Sequence, residues 1–127
     1  MQKEDFARRT MHFLLRTIRL VESLPNSQTA RVIGNQLLRA GTAVGANYRS
    51  ALRGKSRADF VAKMGIVEEE CDEALYWMQM LVDAGIVTSR LSELMSEANE
   101  IIAIVVSSIR TARARKDPPK SGFRNPK

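Results

Sequence analysis

The sequence predicts an all-α protein, an antiparallel up-down four-helix bundle. Three observations carry that prediction. Four segments repeat apolar residues at a spacing near 3.6, few stretches alternate with period two, and the breaks between segments are short.

The first segment, about residues 5–24, places Phe6, Phe13, Leu14, Ile18, Val21 and Leu24 on one side and Arg8, Arg9, Arg16 and Arg19 on the other. Pro25-Asn26-Ser27 breaks it, with Asn26 or Ser27 positioned to cap the next helix. The second segment, about 28–53, stops at Gly54, a residue suited to a helix C-terminus. Ser56 followed three residues later by Asp59 forms a capping pattern, with Asp where Glu or Gln is usual. The third segment, about 57–84, ends at Gly85. Thr88 or Ser89 then caps the fourth, about 89–115, whose stripe is Leu91, Leu94, Met95, Ala98, Ile101, Ile102, Val105 and Ile109. The β-branched run Ile101 to Val106 alone could be a buried strand, but it continues a helical pattern that begins before it, with Glu97 and Glu100. Pro118-Pro119 forbids continuation. The bundle therefore occupies residues 1–116, and 117–127 reads as a basic disordered tail.

At 127 residues the chain is one domain with room for a core. Twenty Lys and Arg against 14 Asp and Glu give a net charge of +6, and the pI is near 10.0, a balance compatible with a polyanionic partner. A lone cysteine, Cys71, cannot form an internal disulfide, the start MQKEDFARRT lacks a signal-peptide core, and no apolar run approaches the ~18 residues of a membrane span. We therefore expect a cytoplasmic protein with no membrane partner.

The stretch GTAVGANYRSALRGKSRADF, residues 41–60, mixes small residues with bases and has no acid before Asp59. On a helical wheel Arg31, Arg39, Arg49 and Arg53 fall within an arc of about 80°. The opposite side holds Ile33, Leu37, Ala40, Gly41, Val44, Tyr48 and Ala51. One helix can carry both properties because they occupy different faces. Each interior glycine costs roughly 1 kcal/mol relative to Ala, so close packing is the expected compensation. Charge is also segregated along the chain. Residues 28–57 hold six bases and no acid, residues 58–85 hold Lys63 against seven acids, and residues 111–127 hold six bases against Asp117. Two readings stay open. The arginine stripe pairs with acids of the third helix, within a subunit or across an oligomer, or it contacts phosphates.

Catalytic chemistry finds no support. The acid cluster EEECDE lacks the Glu-x-x-His pairs of a di-iron bundle, since His12 is the one histidine and Arg stands at position 9. We expect no metal and no other cofactor. Cys71 shares the apolar side with Met64, Val67, Leu75 and Met78, so it reads as core. No phosphate-binding Gly-Lys loop, nucleophile elbow or zinc spacing is present, and the chain reads as a non-enzyme.

The run ANYRSALRGKSRADFVAKMGIVEEECDEALYWMQML, residues 46–81, strongly resembles the four-helix-bundle family of 23S rRNA intervening-sequence proteins. The matching pieces are Gly45-Ala46-Asn47-Tyr48-Arg49, Ser56-Arg57-Ala58-Asp59-Phe60, Glu69, Glu73 and the pair Tyr76-Trp77. The resemblance implies an antiparallel bundle assembling as a ring-like homopentamer, with no enzymatic activity. A related branch, the accessory proteins of diversity-generating retroelements, works with a reverse transcriptase and nucleic acid. The residues we expect at a subunit interface are Tyr48, Arg57, Phe60, Glu69, Glu73, Tyr76 and Trp77. The nucleic-acid candidates rest on charge alone: Arg31, Arg39, Arg49 and Arg53, aided by Arg8, Arg9, Arg16, Arg19, Arg113, Arg115 and Lys116. RNA is the favoured partner, and a scaffold for a protein such as a reverse transcriptase is the alternative.

Overall fold

The computed structural model describes residues 2–88 and 91–115. Four helices account for nearly all of them: α1 (Lys3–Glu22), α2 (Gln28–Leu52), α3 (Arg57–Asp83) and α4 (Ser92–Ala114), with no strand among the described residues. Each helix packs on the next in sequence, and α4 returns to α1 through the sparsest of the four contacts. The registers are antiparallel. Phe6 meets Tyr48, Thr17 meets Gly41 and Leu24 meets Gly34 across α1 and α2. Cys71 Sγ donates to the Ala98 carbonyl at the middle of α3 and α4, and Arg57 reaches the Arg115 carbonyl at their far end.

The helix ends follow local chemistry. Ser27 Oγ accepts from Ala30 N at 3.2 Å and starts α2, and Ser56 Oγ accepts from Asp59 N at 3.1 Å and starts α3. The Asp59 carboxylate reaches Lys55 N at 3.2 Å, one residue upstream of the usual capping-box target. That reach explains Gly54: a Cβ there would lie 3.0 Å from both Asp59 Oδ2 and the Ala51 carbonyl oxygen. Gly85 serves differently. Its φ of +71° is left-handed, and Ile86 N and Gly85 N donate back to Leu81 and Val82, closing α3 with a Schellman motif. α4 departs from expectation. It starts at Ser92 behind Leu91, with no side-chain cap, and Thr88 lies outside it. Ser89, Lys116 and the expected tail over 117–127 lie outside the described residues.

The core contains the whole apolar side expected of α2, from Ile33 to Ala51, and from α3 it takes Met64, Val67, Cys71, Met78 and Leu81. α1 contributes Phe6 and Phe13, but its other fully covered residues are Thr10 and Thr17, while Leu14 and Ile18 are half-buried. Both threonine hydroxyls donate to their own helix, at the Ala7 and Phe13 carbonyls, so their burial leaves no unpaired group. They face the glycines of α2. A Cβ on Gly41 would sit 3.0 Å from Thr17 Cγ2, and one on Gly45 would sit 3.3 Å from Thr10 Oγ1. The small residues therefore let α1 and α2 approach closely.

This packing makes opposite predictions for two helical glycines. Gly41→Leu should destabilise the fold by about 1–3 kcal/mol, because Thr17 is buried and β-branched and cannot swing aside. Gly65→Ala, where a Cβ meets nothing within 4 Å, should instead stabilise by about 0.5–1 kcal/mol. Urea unfolding of both variants checks the contrast.

Candidate nucleic-acid interface

Arg31, Arg39, Arg49 and Arg53 are all exposed on α2, but their partners differ along the helix axis. Arg39 spans α2 and α3, donating to Glu70 Oε1 at 3.1 Å and Glu73 Oε2 at 2.6 Å. Glu73 Oε2 also accepts from Trp77 Nε1 at 3.2 Å. The hydrogen bonds to Glu70 and Glu73 raise the Arg39 guanidinium above its ordinary pKa, and those from Arg39 and Trp77 lower Glu73 below its own. As a solvent-exposed network it fixes geometry more than it adds stability. Arg31 donates to Asn26 Oδ1 at 2.7 Å. Arg49 and Arg53 have no acid partner among the described residues.

On α1 the arginines also separate. Arg8 is exposed beside Asp5. Arg9 crosses to α4, where its Nε and Nη2 hold the two oxygens of Glu97 at 2.7 and 2.9 Å and Nη2 also reaches Glu100. Hydrogen bonding to Glu97 is the main cause of its raised pKa. This fork bridges the seam where helix packing is sparsest. Arg9 and Arg39 are thus engaged by acids of their own chain. Arg16 is half-buried and Arg19 exposed, and neither is paired among the described residues.

The topology gathers what the wheel separated. The start of α1, the end of α2, the start of α3 and the end of α4 share one end of the bundle, tied by Phe6 to Tyr48 and by Arg57 to Arg115. The segments that meet there, 3–8, 49–63 and 104–115, contain ten bases and three acids. By contrast, residues 68–100 hold nine of the chain's 14 acids. The bundle is electrically polarised along its axis. At the basic end Arg49, Arg53, Arg110 and Arg113 are exposed and lack an acid partner among the described residues, and Arg115 is exposed beside them. Charge counting along the sequence missed Arg110, although its place in the last turns of α4 beside Arg113 was a signal.

The expected interface residues scatter. Tyr48 is corrected: it is 6% exposed and packs edge-to-face on Phe6 of the same chain, so it belongs to the core and not to an interface between copies. Burial, followed by the charge of Glu4, raises its phenol pKa. Arg57 and Phe60 are half-buried at the basic end. Glu73 and Trp77 belong to the Arg39 network, while Glu69 and Tyr76 are exposed. Cys71 is fully buried, and burial pushes its thiol up to about 12, which removes it as a nucleophile at neutral pH. His12 is exposed on α1. Among the described residues no group of three or more His, Cys, Asp or Glu could hold a metal ion, and no helix is long and apolar enough to cross a membrane.

A four-helix bundle with one strongly basic end and no catalytic constellation among its described residues is the class this geometry defines. The chain belongs to the 23S rRNA-intervening sequence protein family, whose model matches residues 2–107. It is also similar to a crystal structure of a protein of unknown function from the S23 ribosomal protein family of Bacteroides thetaiotaomicron. The two chains are 32% identical, the match covers 87% of this chain and 99% of the other, and the TM-score is 0.79. No curated protein matches the chain.

The lowered Glu73 pKa fixes the sign of one pH effect. Its stabilising contribution is complete above the ordinary value of 4.5 and is lost as pH falls through the lower, folded value. Trp77 fluorescence should therefore titrate below pH 4.5, and Arg39→Ala should move that transition toward higher pH. A Trp77 signal unchanged by Arg39→Ala would contradict the network.

Proposed function

We propose that the protein is a non-enzymatic nucleic-acid-binding bundle that contacts the phosphates of structured RNA with its basic end. The observation that carries this reading is the cluster of exposed arginines without acid partners among the described residues, Arg49, Arg53, Arg110 and Arg113. Arg9 and Arg39 hold carboxylates at salt-bridge distance, whereas these four do not, even where Glu68 lines a shared hollow with Arg110 and Arg113. Guanidinium groups gathered without salt bridges at one end repel one another, and a polyanion relieves that repulsion while releasing counterions. The family's name, which refers to 23S rRNA, favours RNA over other polyanions. Arg115 joins this set with Lys116 as an extension, whereas Arg16, Arg19 and Arg31, expected from charge alone, lie toward the opposite end of the bundle and stand outside it.

Assembly into a homopentamer belongs to the same reading. It repeats the basic end and raises avidity through effective concentration. Met11, Val32 and Tyr76, each more than half exposed, supply apolar surface for subunit contacts. The same exposed side chains favour the second reading, an oligomeric scaffold for a protein partner such as a reverse transcriptase.

Fluorescence anisotropy with a structured RNA at several salt concentrations tests the proposal. Four phosphate contacts predict a log–log slope of about −3, from roughly −0.7 to −0.9 per contact. Arg53→Glu should weaken binding about tenfold or more and flatten that slope, whereas Arg39→Ala should leave both within about twofold of wild type. Absence of binding by wild type even at low salt would leave the scaffold reading.

A further inference from the structure

A cleft of about 480 Å³ opens at the basic end, lined by residues of all four helices or their flanks. Its existence follows from residue size. α4 turns Ala103, Ser107 and Ser108 toward a space that longer side chains would fill, and α1 packs only sparsely on α4 beside it. Phe6 and Tyr48, buried edge-to-face with ring centroids 4.7 Å apart, back its floor, and the half-buried Phe60 supplies the accessible aromatic ring. The size falls within the roughly 300–1,000 Å³ of small-ligand sites.

The polar groups around this space are mostly neutral. Ser107 and Ser108 make no hydrogen bond among the described residues, whereas Thr10, Thr17 and Thr42 all donate back to their own helix. The Tyr48 hydroxyl has only the Lys3 carbonyl, at 3.5 Å, the long limit of a hydrogen bond. Burial keeps that phenol protonated and therefore a donor. Three hydroxyls of this kind suit the donor and acceptor edges of a neutral heterocycle better than a phosphate. Charge appears at the mouth as Lys3, and Arg49 lines the adjoining hollow between α1 and α2, which shares Tyr48 and Leu52 with the cleft.

We propose that this cleft receives one unstacked nucleobase of a bound RNA strand while the arginines of this end hold its phosphates, so that the protein prefers unpaired over fully paired nucleic acid. The proposal rests on the nucleic-acid reading above and adds to it. Phosphate contacts alone are indifferent to bases, whereas an aromatic ring with nearby hydroxyls is not. Lys3 at the mouth, Arg49 in the adjoining hollow and the excess of bases at this end select the occupant: a base arrives attached to a polyanion, and a free apolar molecule gains nothing from these charges.

The test uses the full chain and two short single strands of equal length and phosphate number, one of RNA and one of abasic spacers. Wild type should bind the base-bearing strand about tenfold more tightly, the order expected for one stacked base. Ser107→Leu, at an exposed helical position, should fill the cleft and abolish that preference while leaving affinity for the abasic strand unchanged. Arg53→Glu should weaken both strands by the same factor and keep the preference. Circular dichroism melting confirms that each variant folds, and Ala103→Met repeats the filling test from a neighbouring turn. Equal affinity of wild type for the two strands, or a preference that survives both filling variants, overturns base capture and leaves the phosphate reading standing. Failure to bind either strand at low salt overturns both. Binding of an apolar dye that Ser107→Leu abolishes, without any base preference, assigns the cleft to a free apolar ligand and also overturns the proposal.

Discussion

Alternation of helix direction is the constraint on which the rest of this structure depends. The breaks near Pro25, Gly54 and Gly85 are short, so each helix must reverse and lie against its predecessor. Reversal brings residues 49–63 and 104–115 to the same end as the start of α1, although they are far apart in sequence. The acids of α3 and the first half of α4 occupy the middle and the other end. A chain with a modest charge of +6 thereby acquires one end far more positive than its average. Inserting half a turn before α4 would rotate its basic residues away from α3 without altering composition, a change that counting charges would not register.

Two devices hold the least secure helix, α1, in that arrangement. On one side it settles against the glycines of α2, where Thr10 and Thr17 fit because their hydroxyls are satisfied within α1. On the other side it meets α4 sparsely, and the Arg9 fork to Glu97 and Glu100 bridges the gap. The cost of interior glycines, roughly 1 kcal/mol each, is offset by the close contact they allow. The same loose seam, farther along, leaves space for the cleft beside Ala103 and Ser107. Packing and the proposed site thus share one cause.

Much of this was legible in the sequence, for identifiable reasons. All the residues that helical periodicity assigned to the buried face of α2, from Ile33 to Ala51, are buried, while Ala30 and Gly34 were passed over because small side chains carry little hydropathy signal. Capping chemistry placed the starts of α2 and α3, at Ser27 and Ser56. It failed at α4, whose first residue follows Leu91 and no side-chain cap. Thr10 and Thr17 were invisible as core because hydropathy treats a hydroxyl as polar even when its own helix satisfies it. Tyr48 was misplaced because a motif residue can be retained for packing as readily as for contact with a partner. The arginines were grouped by angle around the helix, and a wheel discards position along the axis. That lost coordinate separates Arg39, paired with Glu70 and Glu73, from Arg53, which has no acid beside it among the described residues. Ser107 and Ser108 of α4 were the neglected signal, two hydroxyls directly after the aliphatic run Ile101 to Val106.

The central claim is spatial: the end of the bundle, and no other part, meets the polyanion. Titrating isotopically labelled protein with a short single-stranded RNA and following backbone amide shifts by nuclear magnetic resonance tests it most directly. The account predicts saturable shifts at residues 49–60 and 103–115, with little change at 68–73 or 92–100. Shifts centred on the α2–α3 face around Arg39, with the basic end unmoved, would contradict it.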